Sequence, residues 1–174
     1  MSLHSSPIGF PIIYVGTLSK LLFPSARLGF MSVPESFANQ FIAYRRLVTH
    51  QNEALFQEAL ARWIKDGGLE RHLNRMRRLY NERLDVTLDC LRFWKSRGKN
   101  ITWITPKGGM AIWLNLNCNS SDIAKKALKS GVFVNPEQYY RLDNEEGTHL
   151  RLGFTNQDRD EIKSGLKELM QLLP

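Results

Sequence analysis

Two cations and two hydroxyls crowd one short stretch of the chain, Gly16-Thr17-Leu18-Ser19-Lys20 followed by Pro24, Arg27 and Gly29. A lysine on a connection between two apolar strands is placed for nucleophilic work, because only the neutral amine attacks a carbonyl and burial beside another cation favours that form. Arg27, seven residues after Lys20, carries a planar fork that matches phosphate oxygens. Thr17 and Ser19 can donate hydroxyls to the same anion. A phosphorylated aldehyde cofactor needs this donor set. The same residues also suit a plainer arrangement, a loop lysine and a strand-end arginine in surface salt bridges, and the spacing leaves both open. A third cation, Arg151, lies in HLRLGFT (His149–Thr155). There Leu150, Leu152 and Phe154 share one strand face, and Arg151, Gly153 and Thr155 the other. From that face its fork can take a carboxylate or meet only water.

The elements that must hold these residues follow from periodicity. PIIYV (Pro11–Val15) is β-branched and apolar, and LGFMSV (Leu28–Val33) resembles it, so both read as short buried strands. Gly16 and Pro24 break the connection between them, which carries Lys20. An open apolar edge invites association, so the two strands are expected to pair with each other, pair with another chain, or stay disordered. Pro34 opens a helix with Phe37, Phe41 and Tyr44 at helical spacing, and Thr49–Asn52 can hold a bend. Glu53–Lys65 reads as a second helix with Leu55, Ala59, Leu60, Trp63 and Ile64 inward, stopped by Gly67-Gly68. From Leu69 to Trp94 an apolar residue recurs every three or four positions, which predicts one long helix ended by Gly98.

Beyond Gly98 the period changes. Ile101–Ile104 and Met110–Leu116 read as strands around a Pro106–Gly109 turn, Ser121–Ser130 as a helix stopped by Gly131, and Val132–Val134 as a strand. Tyr139–Gly147 is polar loop, His149–Thr155 a strand, and Asp158 with Glu161 a capping box opening the last helix. Helices and strands are partly segregated, which predicts an α+β fold with a small mixed or antiparallel sheet. The 174 residues suffice for one domain or slightly more, and 43% hydrophobic with 24% charged residues excludes a disordered chain. No apolar run approaches the roughly 20 residues of a membrane span. Cys90 and Cys118 lack a CxxC neighbour, and His50, His72 and His149 show no metal-ligand spacing. A net charge of +7 permits an anionic partner without identifying one.

The string YVGTLSKLLFPSARLGFM resembles the cofactor-lysine signature of pyridoxal-phosphate (PLP) enzymes of the aspartate aminotransferase fold, fold type I. More narrowly, it is similar to the aminotransferase-like domain of MocR-type regulators of the GntR family. GGLERHLNRMRRLYNERLD, TPKGGMAIWLNL, GVFVNPEQYY and HLRLGFT resemble later segments of that family, in the right order, so the resemblance runs from about Ile12 to Leu173. It implies that Lys20 is the Schiff-base lysine, that Arg27 and Thr17 bind cofactor phosphate with Ser19 beside them, and that Arg151 clamps an amino acid's carboxylate. It also implies that DNA is reached only through a winged-helix domain N-terminal to these residues; two cysteines cannot make a disulfide framework, so a reducing, cytoplasmic setting is expected, and the open strand edges lead to the expectation of a homo-oligomer. The family's ring-facing residues precede the lysine, where this chain has only 19 residues.

The chain is therefore expected to be the C-terminal part of a longer protein and inactive alone. Residues 1–6 read as an expression scar or disordered leader, 7–34 as a remnant of the PLP-binding large domain, 35–68 as connecting helices and 69–174 as the small domain. Whether the parent completes transamination as an amino-acid aminotransferase, or uses the amino acid as a signal, is left open. A competing reading takes Arg71, Arg75, Arg77, Arg78 and Arg83 as a basic helix for nucleic acid. The alternative is a solvated face with pairs such as Arg78–Glu82, since the apolar stripe already accounts for the helix.

Overall fold

The computed structural model describes residues 11–22, 27–49 and 54–174. Residues 1–6, Pro24, the start of the second helix at Glu53 and most of the Thr49–Asn52 bend lie outside the described residues. The chain divides into two compact units, Met1–Leu73 and Asn74–Pro174.

In the first unit β1 (Tyr14–Thr17) and β2 (Gly29–Ser32) pair antiparallel, with Tyr14 opposite Ser32 and Thr17 opposite Gly29. Of the outcomes open to these strands, they pair with each other. They are not buried, which corrects the expectation: Tyr14, Val15, Phe30 and Met31 are 49%, 68%, 49% and 50% exposed. Among the described residues no further strand joins the ribbon. The ladder begins at Tyr14 rather than Pro11; its partner strand ends at Ser32, and two residues further on Pro34, which the register would set opposite Ile12, has no N–H to give. α1 (Glu35–Val48) starts directly after Pro34, and α2 (Ala54–Lys65) follows. Neither helix buries a residue fully. Gly67 takes the left-handed conformation (φ +73°) that ends a helix, and α3 (Gly68–Ser96) begins beside it.

The second unit has the core. Its sheet has the order β3 (Thr102–Trp103), β4 (Ala111–Asn115), β6 (His149–Gly153), β5 (Asn135–Pro136), antiparallel throughout. Ile112, Leu114, Leu150, Leu152 and Phe154 point to one face and are at most 9% exposed. They belong to one apolar cluster with Leu88 and Leu91 of α3, Ile123 and Ala127 of α4 (Ser120–Lys129), and Ile162, Leu166, Leu169 and Met170 of α5 (Arg159–Gln171). Asn119 caps α4 by accepting from the Ser121 and Asp122 N–H groups. Asp158 and Glu161 form the expected capping box on α5. The strand expected at Val132–Val134 falls instead at Asn135–Pro136. The Val132 N–H turns back to the Ala127 carbonyl at 2.9 Å, so this stretch closes α4 before it can join the ladder. The expected Arg78–Glu82 pair does not form: Glu82 pairs with Arg159 in the first turn of α5.

Candidate functional site

The connection carrying Lys20 is a compact turn. The Leu18 N–H donates to the Leu28 carbonyl at 2.8 Å, extending the ladder one step past Thr17–Gly29. Leu21 and Leu22 both donate backbone N–H groups to the Leu18 carbonyl, at 3.0 and 2.9 Å, which folds the chain at Lys20. The Thr17 hydroxyl accepts from the Ser19 N–H at 3.2 Å and reaches the Leu28 carbonyl at 3.4 Å. This local hydroxyl–backbone bonding is what threonine and serine do in turns. Arg27 directly precedes Leu28, so the ribbon's register brings Thr17, Ser19, Lys20 and Arg27 to its connected end. Lys20 and Arg27 are exposed, and neither has an ion-pair partner among the described residues. Arg27 has φ +44°, a left-handed conformation that costs a residue with a Cβ on the order of 1–2 kcal/mol.

A residue the sequence did not single out holds this turn. His72 of α3 bonds the Leu21 carbonyl through Nε2 at 3.0 Å, and since a carbonyl only accepts, Nε2 must carry the hydrogen. Its ring meets Trp63 of α2 edge-on, with centroids 6.1 Å apart. Lone histidines carry no spacing signal, so only the fold reveals this anchor.

Arg151 belongs to the second unit. It faces away from the core on β6, exposed, between its register partners Trp113 on β4 and Asn135 on β5. It makes no ion pair among the described residues. It also lines a cavity of about 690 Å³ that extends past Asn135, Gly153 and Thr155 toward α5. Beside it stands a fixed aromatic group. Trp113 stacks on His149 (centroids 5.6 Å, planes 14° apart) and meets Tyr140 edge-on at 5.5 Å. His149 Nδ1 lies 2.9 Å from Glu137, which also accepts the backbone N–H groups of Thr148 (3.0 Å) and His149 (3.1 Å). A Cβ on Gly147 would meet the Glu137 carboxylate, which would have to shift from its present position. Burial pushes the Glu137 carboxyl up, but the His149 ring and the two backbone donors outweigh it and hold it below its ordinary value. Asp143 is held down at about 2 by its hydrogen bonds from Arg141 and the Glu145 N–H. Burial raises the Cys90 and Cys118 thiols, and neither cysteine is bonded to another.

Known proteins share this architecture. No family model matches the chain. The solved structure of LysN, an α-aminoadipate aminotransferase from Thermus thermophilus complexed with N-(5′-phosphopyridoxyl)-L-leucine, superposes with a TM-score of 0.82 at 26% identity. It covers 95% of this chain, which in turn covers 42% of LysN. The fold is that of the PLP-dependent, fold-type-I aminotransferases. The relatives sharpen this: they are MocR/GntR-type regulators as well as aminotransferases. The HTH-type transcriptional regulator YisV of Bacillus subtilis is 30% identical over 90% of the chain and 32% of its own length. MocR of Rhizobium meliloti, a regulatory protein assigned to rhizopine catabolism, is 47% identical over 81 residues, which are 47% of this chain and 16% of MocR. The chain thus spans about a third of the length of the curated relatives it matches. Among the described residues no helix is long and apolar enough to cross a membrane.

Proposed function

We propose that these residues are the C-terminal part of a PLP-binding, aminotransferase-like effector domain in a MocR/GntR-type transcriptional regulator. The observation that carries the regulator reading is the 47% identity to MocR over 81 residues. In the parent, residues 7–34 complete the PLP-binding large domain, 35–68 connect, and 69–174 form the small domain. PLP, when bound, supplies an electron sink for bonds at an amino acid's α-carbon. The donor set at the connected end of the ribbon suits it: a primary amine on Lys20 for the aldehyde, the Arg27 fork for the phosphate, and the Thr17 and Ser19 hydroxyls beside it. Arg151 offers its fork to the amino acid's carboxylate. The rest of the parent supplies the ring-facing residues, and DNA is bound by a domain N-terminal to this one. The assembly is a cytoplasmic homo-oligomer.

A second reading, a free-standing amino-acid aminotransferase, is favoured by the likeness to LysN over 95% of the chain. The sequence upstream of Ile8 in the source genome separates the two, since only a regulator adds a winged-helix segment to the large domain.

The direct test titrates the chain with PLP, traps with borohydride and maps the modified lysines against a Lys20→Ala control. Selective, saturable labelling of Lys20 is expected. Scattered labelling over many lysines would overturn the assignment of phosphate binding to this turn. Added PLP and amino acids are expected to give no turnover with the 174 residues alone.

A further inference from the structure

The geometry points to a docking face for a second copy of this chain on the solvent side of α3, where three arginines and three carboxylates stand in mirror order. Arg71, Arg75 and Arg78 lie nine, five and two residues before Tyr80, and Asp89, Asp85 and Glu82 lie nine, five and two residues after it, all on one helix. At 3.6 residues per turn the six fall on a single stripe. That stripe is opposite Tyr80, Leu84 and Leu91, which meet the core. All six side chains are exposed. The inference rests on the homo-oligomer reading above and on neither the cofactor nor the regulator reading.

Within one chain this order is unfavourable. Neighbours on a helix face stand three or four residues apart, and like charges there repel. Here every such neighbour carries the same sign, except Arg78 and Glu82 at the centre, and that pair does not form. Arg75, Arg78 and Asp85 make no ion pair among the described residues. Glu82 takes Arg159 through Oε1, Asp89 takes Arg92 through Oδ1 at 2.8 Å, and Arg71 donates to the Asp66 carbonyl at 2.9 Å. Each engaged carboxylate so keeps its other oxygen for a second donor. The apolar stripe asks only for a polar outer face and is indifferent to the order of charges on it.

An antiparallel copy reads that order. A twofold axis at the level of Tyr80 sets Arg71 beside Asp89 of the second copy, Arg75 beside its Asp85 and Arg78 beside its Glu82, and symmetry makes each pairing twice. A parallel copy sets each charge beside its own kind. The matched stretch is about 27 Å of helix. Exposed pairs are individually weak and are screened by salt, so the dimer is a weak, salt-sensitive one.

Analytical ultracentrifugation of the 174-residue chain tests this. Dimers are expected at about 0.02 M salt, with association on the order of tenfold weaker at about 0.5 M. Arg75→Asp and Asp85→Arg should each weaken it about tenfold, since each change acts at two places in a twofold dimer. One lowers the net charge and the other raises it, so a general charge effect would move them in opposite directions. Mixed in equal amounts, the two variants should associate with each other about as well as wild type, and so should the double variant with itself, because both arrangements restore opposite charges at every pairing. A folding defect gives no such rescue. Dimers of unchanged strength in both single variants, or weakened dimers without rescue in the mixture, overturn this face and leave the homo-oligomer standing. A wild-type chain that stays monomeric at low salt overturns the face and self-association of the chain with it.

Discussion

The two-stranded ribbon of the first unit and the four-stranded sheet of the second are made from similar residues with opposite results. Val15, Phe30 and Met31 are as apolar as Ile112, Leu114 and Leu150, yet the first three are about half exposed or more and the last three at most 1% exposed. The difference is the number of layers. The sheet has α3, α4 and α5 on one face, so alternate residues of β4 and β6 have something to pack against. Among the described residues the ribbon has only its own partner strand. Burial is a property of what lies across from a residue, so the strength of this chain is concentrated in Asn74–Pro174. The proposed cofactor end sits on the element with least interior of its own. That is where a protein gains affinity by completing a site with other segments, and where a piece of it should bind weakly.

Core truncation tests this comparison hardest. Leu114→Ala or Leu150→Ala, at fully buried positions, should cost about 2–5 kcal/mol in urea unfolding. Val15→Ala, at 68% exposure, should move the midpoint hardly at all. A comparable loss from Val15→Ala would show that the ribbon has a covering layer and break the contrast. A smaller effect is expected at the last helix, where Asp158→Ala removes both the cap acceptor and the box, worth about 1 kcal/mol.

Acid sharpens the comparison within the second unit. The folded Glu137 and Asp143 carboxyls titrate below their unfolded values, so their stabilisation is complete above the unfolded range, near pH 4, and is lost as pH falls through the folded values. Glu137→Gln should therefore flatten the loss of stability as pH falls below the ordinary carboxylate range, read from denaturant midpoints against pH. An unchanged acid limb would remove Glu137 as the group holding His149 and, through it, Trp113. Smallest of all is Lys20→Ala. Exposed and without an ion-pair partner among the described residues, it should shift unfolding by less than about 0.5 kcal/mol while abolishing cofactor trapping. That dissociation of stability from labelling is the mark of a functional side chain.

Local signals read from the residues reached far into this structure. The 3.6-residue stripe placed α3 almost to the residue, the Asp158–Glu161 pair placed the start of α5, and the alternation in HLRLGFT put Arg151 on the open face. The same alternation in Ala111–Asn115, with Ile112 and Leu114 buried, was available to place Trp113 beside it. Each of these depends on backbone geometry within a few residues, which the chain encodes directly. What the tertiary structure alone decided was long-range. It left β1 and β2 paired but uncovered, and it moved the short strand from Val132–Val134 to Asn135–Pro136. It brought His72 to the Leu21 carbonyl from 51 residues away, and Glu137 to His149 from 12. Such contacts are set by which elements pack together, a competition among distant surfaces that no local pattern of residue types records.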